Sequence, residues 1–381
     1  MRIINRIRAV MWALLLLALL AGCRTAGLQQ PGVEYAHLEE ATPWSIYVVA
    51  FDLARPDLAL LATVGAGVNG SETVGEMVAL LPRAAGVPIA AINGDYFEYL
   101  TEPRYRGTLQ GMTLLEGELA GGPAGTTFWL DDQRRPHLGS VRSQFTLTWP
   151  DGATTPFGLN CSTSDYKSEV RAPNVVLFTP AFGPSTCTEG GRELVLEPVE
   201  QAAWLPLRPN AVLRARVREV RTAGNTPIPA GAMVVSIARK ADATAPAVQP
   251  DDLLTIDTAL APNLAGARTA ISGDPLLLVN GELVPGLDNT NRHPRTAVGF
   301  AGSRCVLAVV DGRKPGVSVG MSHRELAELM KRLGCTDALN LDGGGSSTFW
   351  YDGQTVNAPS DGKPRPVGNG LVLVRTATGG K

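Results

Sequence analysis

From Trp44 to Leu53 the chain reads WSIYVVAFDL, apolar and polar positions alternating as they do along a strand. LALLATVG (58–65) repeats the pattern. SETVGEMVALLPRAAG (71–86) changes to a helical one: Thr73 with Glu76 three residues on makes a capping box, and Pro82 ends the helix. VPIAAINGDYF is then an apolar strand that runs into Asn93-Gly94-Asp95. From about 108 to 240 short apolar runs follow one another between Gly/Pro turns. FTLTWPDGATTPF carries a hairpin signal at Asp151-Gly152, and VVLFTPAFG, RELVLEPVE and AVLRARVREV read as strands.

The last third is the most legible. RTAISGDPLLLVNGELV holds a strand, a Gly-Asp-Pro turn and a hairpin at Asn280-Gly281. CVLAVVDGR is a buried-type strand ending at Asp311. SHRELAELMKRLG is a helix with a Ser322/Glu325 capping box, one apolar face (Leu326, Leu329, Met330, Leu333) and a Gly334 stop. CTDALNLDGGG follows as another apolar strand. Strand, helix, strand predicts a parallel pair with a right-handed crossover. The pattern as a whole predicts an α+β fold: a mixed, largely β-sheet core with a C-terminal β-α-β unit and an antiparallel β-rich middle region. On this topology Asp311 and Asp342 end their strands at one edge, where α/β sheets bind ligands. Cys305 and Cys335 begin theirs at the other.

The N-terminus stands apart. Three arginines precede MWALLLLALLAGC, a basic n-region and an apolar stretch too short to span a bilayer comfortably. Leu20-Ala21-Gly22-Cys23 resembles a bacterial lipobox, which makes residues 1–22 a lipoprotein signal peptide and Cys23 the lipidated terminus; an ordinary secretory signal with a chance cysteine is the alternative. Residues 23–42 lack periodicity and read as a tether, leaving 43–381 as the domain. The predicted location is the cell envelope, lipid-anchored and extracytoplasmic. Arg24 is not the aspartate that retains many lipoproteins at the inner membrane, so in a diderm the outer membrane is favoured over the periplasmic face of the inner one. The formal charge of −2 becomes −5 once the three leader arginines go, and no basic field argues for nucleic acid. Five cysteines less Cys23 leave an even set for an oxidising compartment. Sequence proximity favours Cys161–Cys187, and the shared strand edge favours Cys305–Cys335.

The candidate chemistry gathers at strand ends. Asp95, Asp274, Asp311 and Asp342 each stand beside a glycine. Turns use Asp and Gly in any case, but four such acids offer an acid/base or a metal ligand. ALNLDGGGSSTFWYDG (338–353) places three glycines and two serines after an acid; GxxxxGK[ST] and GxSxG are both absent. A nest of backbone amides at Gly343, Gly344 and Gly345, with the Ser346 and Ser347 hydroxyls, suits an anion. A tight structural loop capped by Asp342 is the plainer alternative. NTNRHPRTAVGF contributes His293, Arg295 and Thr296, a proton carrier and a guanidinium that matches phosphate. VNAPSDGKPRPVGNGLVLV adds Asn357 and Arg365. His37, His137 and His323 have no such company and read as surface residues.

Together AINGDYF, ISGDPLLLVNGEL, HPRTAVGF, VVDGR, GCTDALNLDGGGSSTFW and RPVGNGLVLV resemble the phosphodiester glycosidase family over about residues 88–376. Residues 125–230 carry none of its motifs. The resemblance implies hydrolysis of a sugar-1-phosphodiester, of the N-acetylglucosamine-1-phosphodiester kind, at the glycosidic bond. A phosphomonoester leaves readily because its second pKa is near 6. Charge neutralisation and stabilisation of an oxocarbenium-like sugar then matter most. On this reading Asp95, Asp311, Asp342 and His293 are the catalytic set, with nucleophile and base unassigned. Asn93, Gly94, Asp274, Arg295, Thr296, Arg313, Gly343, Gly344, Gly345, Ser346, Ser347, Asn357 and Arg365 hold substrate and phosphate. An oxygen-rich set of this kind suits a calcium ion. The implied partners are a sugar-phosphate-containing glycan or glycolipid and, through the N-terminal lipid, a membrane. Two other readings use the same residues: a non-catalytic glycan-phosphate-binding envelope lipoprotein, and a phosphodiesterase that cuts P–O.

Overall fold

The computed structural model describes residues 30–99, 103–122, 124–168, 172–200 and 203–377. Residues 1–22, expected to be a signal peptide, and Cys23 lie outside them. The described chain is essentially all-β, arranged in four sheets of seven, five, six and eight strands. Every strand pair is antiparallel except Gly158–Leu159 with Val175–Phe178.

This corrects the α+β expectation. Arg304–Val310 and Asp337–Asn340 do run in the same direction, but Arg295–Ala301 lies between them, antiparallel to both. The reason is burial on both faces. In Arg304–Val310, Leu307 and Val309 enter one apolar cluster while Val306, Ala308 and Val310 enter another under the helix His323–Arg332. A strand covered on both sides loses its alternation and reads like a parallel one.

The seven-stranded sheet runs in the order 33–40, 44–52, 304–310, 295–301, 337–340, 276–279, 282–283. Val33–Glu40, which the sequence assigns to a tether, is its edge strand, paired with Trp44–Asp52. The five-stranded sheet runs 354–355, 349–351, 87–93, 369–375, 58–64. The two bury Val49, Leu307 and Leu339 against Leu60, Ile92 and Leu373. The helix Val74–Leu80, with its Thr73/Glu76 capping box, covers the outer face of the second sheet through Met77. Asn280 and Gly281 both take positive φ, +51° and +82°, as their hairpin requires.

The six-stranded sheet is the hinge of the architecture. Its Phe128 and Ile271 belong to the core just described. Its Leu114, Leu119 and Val141 pack instead with Leu194, Val217 and Ile256 of the eight-stranded sheet, which is the β-rich middle of the sequence.

The cysteine expectation is also corrected: Cys161, Cys187, Cys305 and Cys335 are free thiols. Cys305 packs into the core between the two sheets, whereas Cys335 packs with Met330 on the helix side, so one sheet separates them. Cys187 sits in a left-handed conformation (φ +57°) and turns to the Asn69 amide and the Ser185 hydroxyl, at 3.9 and 3.8 Å, rather than to Cys161.

Candidate active site

Segments far apart in sequence are stitched together where strand ends of the seven- and five-stranded sheets meet. Asp342 N–H donates to the Gly94 carbonyl (2.8 Å), and Asn93 Nδ2 to the Asp342 carbonyl (2.7 Å). Asn93 Oδ1 accepts from the Thr296 hydroxyl (2.7 Å) and Thr348 N–H (3.1 Å). Leu341 N–H closes onto Thr296 O (2.9 Å). Asn93 and Thr296, read from the sequence as ligand contacts, are thus buried clamps between strands. Gly94 has to be glycine: a Cβ there would sit 2.3 Å from Asn369 Oδ1 and 2.4 Å from the Ile271 side chain.

Asp95 is only 3% exposed. Its N–H donates to Asn369 Oδ1 (2.7 Å) and its Oδ1 accepts from Tyr96 N–H (2.7 Å). Among the described residues Oδ2 completes no hydrogen bond, although the Gly111 backbone amide lies near enough to favour the charged form. Burial, reinforced by the nearby negative charge of Asp342, pushes the carboxyl up to about 7. Asp95 opens onto a cavity of about 620 Å³ lined also by Tyr96, Gln110, Arg142, Ser272 and the exposed Asp274.

Tyr96 is the residue on which the site turns. Its hydroxyl donates to the Asp274 carbonyl (3.0 Å) and accepts from Asn340 Nδ2 (3.2 Å). Burial, then the charge of Asp342, hold the phenol up at about 12, against the opposing pull of Arg295. Tyr96 therefore stands in the cavity wall and in the fields of Asp342 and Arg295 at once. Asn340 Oδ1 is a second buried oxygen in the site without a hydrogen-bond partner among the described residues.

Arg295 is 6% exposed, and among the described residues no carboxylate pairs with it. Nε donates to Met321 O (2.9 Å), Nη2 to Asn291 O (3.1 Å) and Nη1 to His323 Nε2 (2.7 Å). An accepting imidazole is neutral, and burial together with Arg295 pushes His323 down to about 4. His323 is thus half-buried against Arg295 rather than a surface residue. His293 stands beside Arg313 (Nδ1 to Nη2, 3.4 Å), and burial, Arg295 and Arg313 hold it below the usual imidazole range. A buried cation held by neutral groups alone is costly, and an incoming anion relieves that cost.

The glycine loop is one helical turn, Gly344–Ser346, rather than an open nest. Gly343 N–H donates to Asp342 Oδ1 (2.8 Å) and Gly344 N–H to Pro294 O (2.9 Å). Ser346 and Ser347 N–H turn back on Gly343 and Gly344. A Cβ on Gly343 would meet Pro294 O at 2.8 Å, which explains that glycine by close approach; Gly344 needs φ +61°. Arg313 lies against Gly344, and Arg365, ion-paired to Asp361 (2.7 Å), covers Gly345 and reaches Ser346 Oγ (3.5 Å). The Ser347 hydroxyl stands 3.3 Å from that of Thr296, whose proton goes to Asn93.

Asp311 does not join the other acids. Its carboxylate accepts from Asn357 Nδ2 (2.9 Å) and Ala358 N–H (3.1 Å), while Asn357 holds Ser347 O (3.1 Å) and Phe349 N–H (2.7 Å). It braces the glycine turn from behind. Asp311→Ala strands two buried donors and is expected to cost about 2–4 kcal/mol of stability. Urea unfolding checks this; a midpoint equal to that of the parent would refute the bracing role. Among the described residues no three of His, Cys, Asp and Glu converge on a point.

Three functional candidates escaped the sequence reading. Tyr96 and Asn369 stand inside the quoted motifs AINGDYF and RPVGNGLVLV. Asn340, a polar residue between Leu339 and Leu341, was the detectable signal.

Residues 209–374 match the model of the phosphodiester glycosidase family. Over 83 residues the chain is 37% identical to the SPbeta prophage-derived uncharacterized protein YomE of Bacillus subtilis, covering 22% of this chain and 13% of that protein. Its fold is similar to that of a hypothetical protein from Synechocystis: TM-score 0.69, 19% identity, 91% of this chain and 63% of that one. It is similar also to a Burkholderia pseudomallei protein named "Putative exported protein": TM-score 0.64, 24% identity, 87% of this chain and 74% of that one. The chain thus spans less than two thirds of the Bacillus and Synechocystis proteins.

Proposed function

We propose that this protein hydrolyses the glycosidic bond of a sugar-1-phosphodiester in an envelope or extracellular glycan, releasing a free sugar and a phosphomonoester. The family match over residues 209–374 supports the reaction class. The observation that carries it is the arrangement of Asp95, Asp342 and Arg295 around Tyr96: a carboxyl able to exchange a proton near neutrality, a second carboxylate beside it, and a buried guanidinium without a carboxylate counter-ion.

The roles follow from charge. Arg295, with Arg313 at the glycine turn, receives the phosphodiester and the charge that grows on it as the bond breaks. The bonding pair of C1–O stays on the phosphate oxygen. Asp342 faces the positive charge developing at C1, and water adds to C1 with Asp95 moving the proton. The match between an acid at about 7 and a leaving group with a second pKa near 6 makes that transfer nearly isoenergetic. His293, Asp274 and Arg365 border the site and are assigned to holding substrate. Extracytoplasmic placement through a lipidated Cys23 is part of the proposal and rests on the lipobox-like sequence.

Hydrolysis of a methyl phosphodiester of α-N-acetylglucosamine in ¹⁸O-labelled water is the test. Label in the sugar hydroxyl is the expected result. Label in phosphate would replace the proposal by P–O cleavage, and tight binding without turnover would leave a glycan-phosphate-binding protein.

A further inference from the structure

The cavity beside Asp95 has a wall that the proposed chemistry does not use. Ser140 and Arg142 are two residues apart on the strand Pro136–Ser143, so they share a face, while Val141 between them is fully buried in the core. Thr126 is the cross-strand partner of Ser140. All three line the same cavity as Asp95 and Tyr96, and Gln110 lines it with them. This wall comes from residues 110–142, outside the family-matched segment.

Arg142 is the one basic side chain in that lining. Two carboxylates, Asp95 and Asp274, share the cavity, yet Arg142 is ion-paired with neither. The guanidinium is exposed at the cavity rim, and among the described residues no hydrogen bond or ion pair engages it. Arg295 and Arg313 already answer the single negative charge of a phosphodiester, and neither lines this cavity. A cavity of about 620 Å³ falls within the roughly 300–1,000 Å³ typical of small-molecule sites, room for a sugar ring with a substituent.

We propose that Arg142, with Ser140, Thr126 and Gln110, forms a subsite for a second anionic group, carried on the sugar ring of the substrate. Planar fork geometry favours a carboxylate, as on a uronic-type sugar; a phosphate on the ring presents the same chemistry. The hydroxyls and the amide supply neutral hydrogen bonds to the ring. This rests on the sugar-1-phosphodiester reading and narrows it to an acidic sugar.

The test measures binding, so it does not depend on turnover. Three non-hydrolysable C-glycosyl phosphonate monoesters are titrated calorimetrically into the protein: N-acetylglucosaminyl, glucuronyl, and glucosyl bearing a 6-phosphate. The glucuronyl analogue is expected to bind about tenfold more tightly than the neutral one, as for a charge-assisted fork. In Arg142→Met that ratio should fall to near one, and Arg142→Lys should keep only part of it. A tighter 6-phosphate analogue would identify ring phosphate as the source of the anion. Equal affinity for neutral and acidic sugars, an unchanged ratio in Arg142→Met, or no binding of any analogue would overturn the subsite. The ¹⁸O experiment judges the hydrolase reading separately.

Discussion

Replacing Asp95 by asparagine is expected to lower kcat/KM about 10²–10⁴-fold, the range general acid–base groups contribute, while making the protein more stable above neutral pH. The two effects have one cause. The Asp95 carboxyl is buried and its pKa is raised from 3.8 to about 7. The native state therefore holds a proton that the unfolded chain gives up. Its stabilising contribution is fully present below pH 3.8 and is lost as the pH rises through about 7. The loss is on the order of 4 kcal/mol, taking about 1.4 kcal/mol per unit. Asparagine keeps the size, and its Oδ1 can still accept from Tyr96 N–H, but it removes the titration. Urea midpoints at pH 5 and pH 8 read this directly: the parent should drop more than the variant. Parallel drops would mean that Asp95 titrates normally and is not the proton carrier.

Asp342→Asn is the second large effect, a loss of at least about a hundredfold in turnover with the fold retained. Its particular signature lies in the pH profile. The charge of Asp342 helps to raise Asp95, so removing it should bring the Asp95 limb of kcat/KM to lower pH. A structural role for Asp342 would reduce activity without moving that limb. Near-parental turnover would take Asp342 out of the chemistry altogether.

The sequence exposed the segments that gather at the candidate site better than it exposed the fold, for a physical reason. Strand ends, glycines and acids are local signals. AINGD, ISGDP, HPRTAVG and LDGGGSS could be recognised without knowing how they meet. Both capping boxes were equally local, and both helices formed where Thr73 and Ser322 placed them. Sheet order is not local. Nothing in CVLAVV says that its apolar residues serve two cores, or that Arg295–Ala301 will lie between it and Asp337–Asn340. Hydrogen-bond allocation is invisible for the same reason. Asp311 and Asp342 look alike in sequence, but one is consumed by Asn357 and Ala358 and the other stands beside Asp95.

The two sheets that carry the site interleave strands from opposite ends of the chain: 44–52 lies against 304–310, and 58–64 and 87–93 flank 369–375. A clone cut to the region that the family model recognises, 209–374, would lack every one of those early strands. Its open ladder edges and bare apolar faces would invite intermolecular pairing, so insoluble product is the natural yield of such a truncation. Dissection of this enzyme candidate has to keep the hairpin of 33–40 and 44–52.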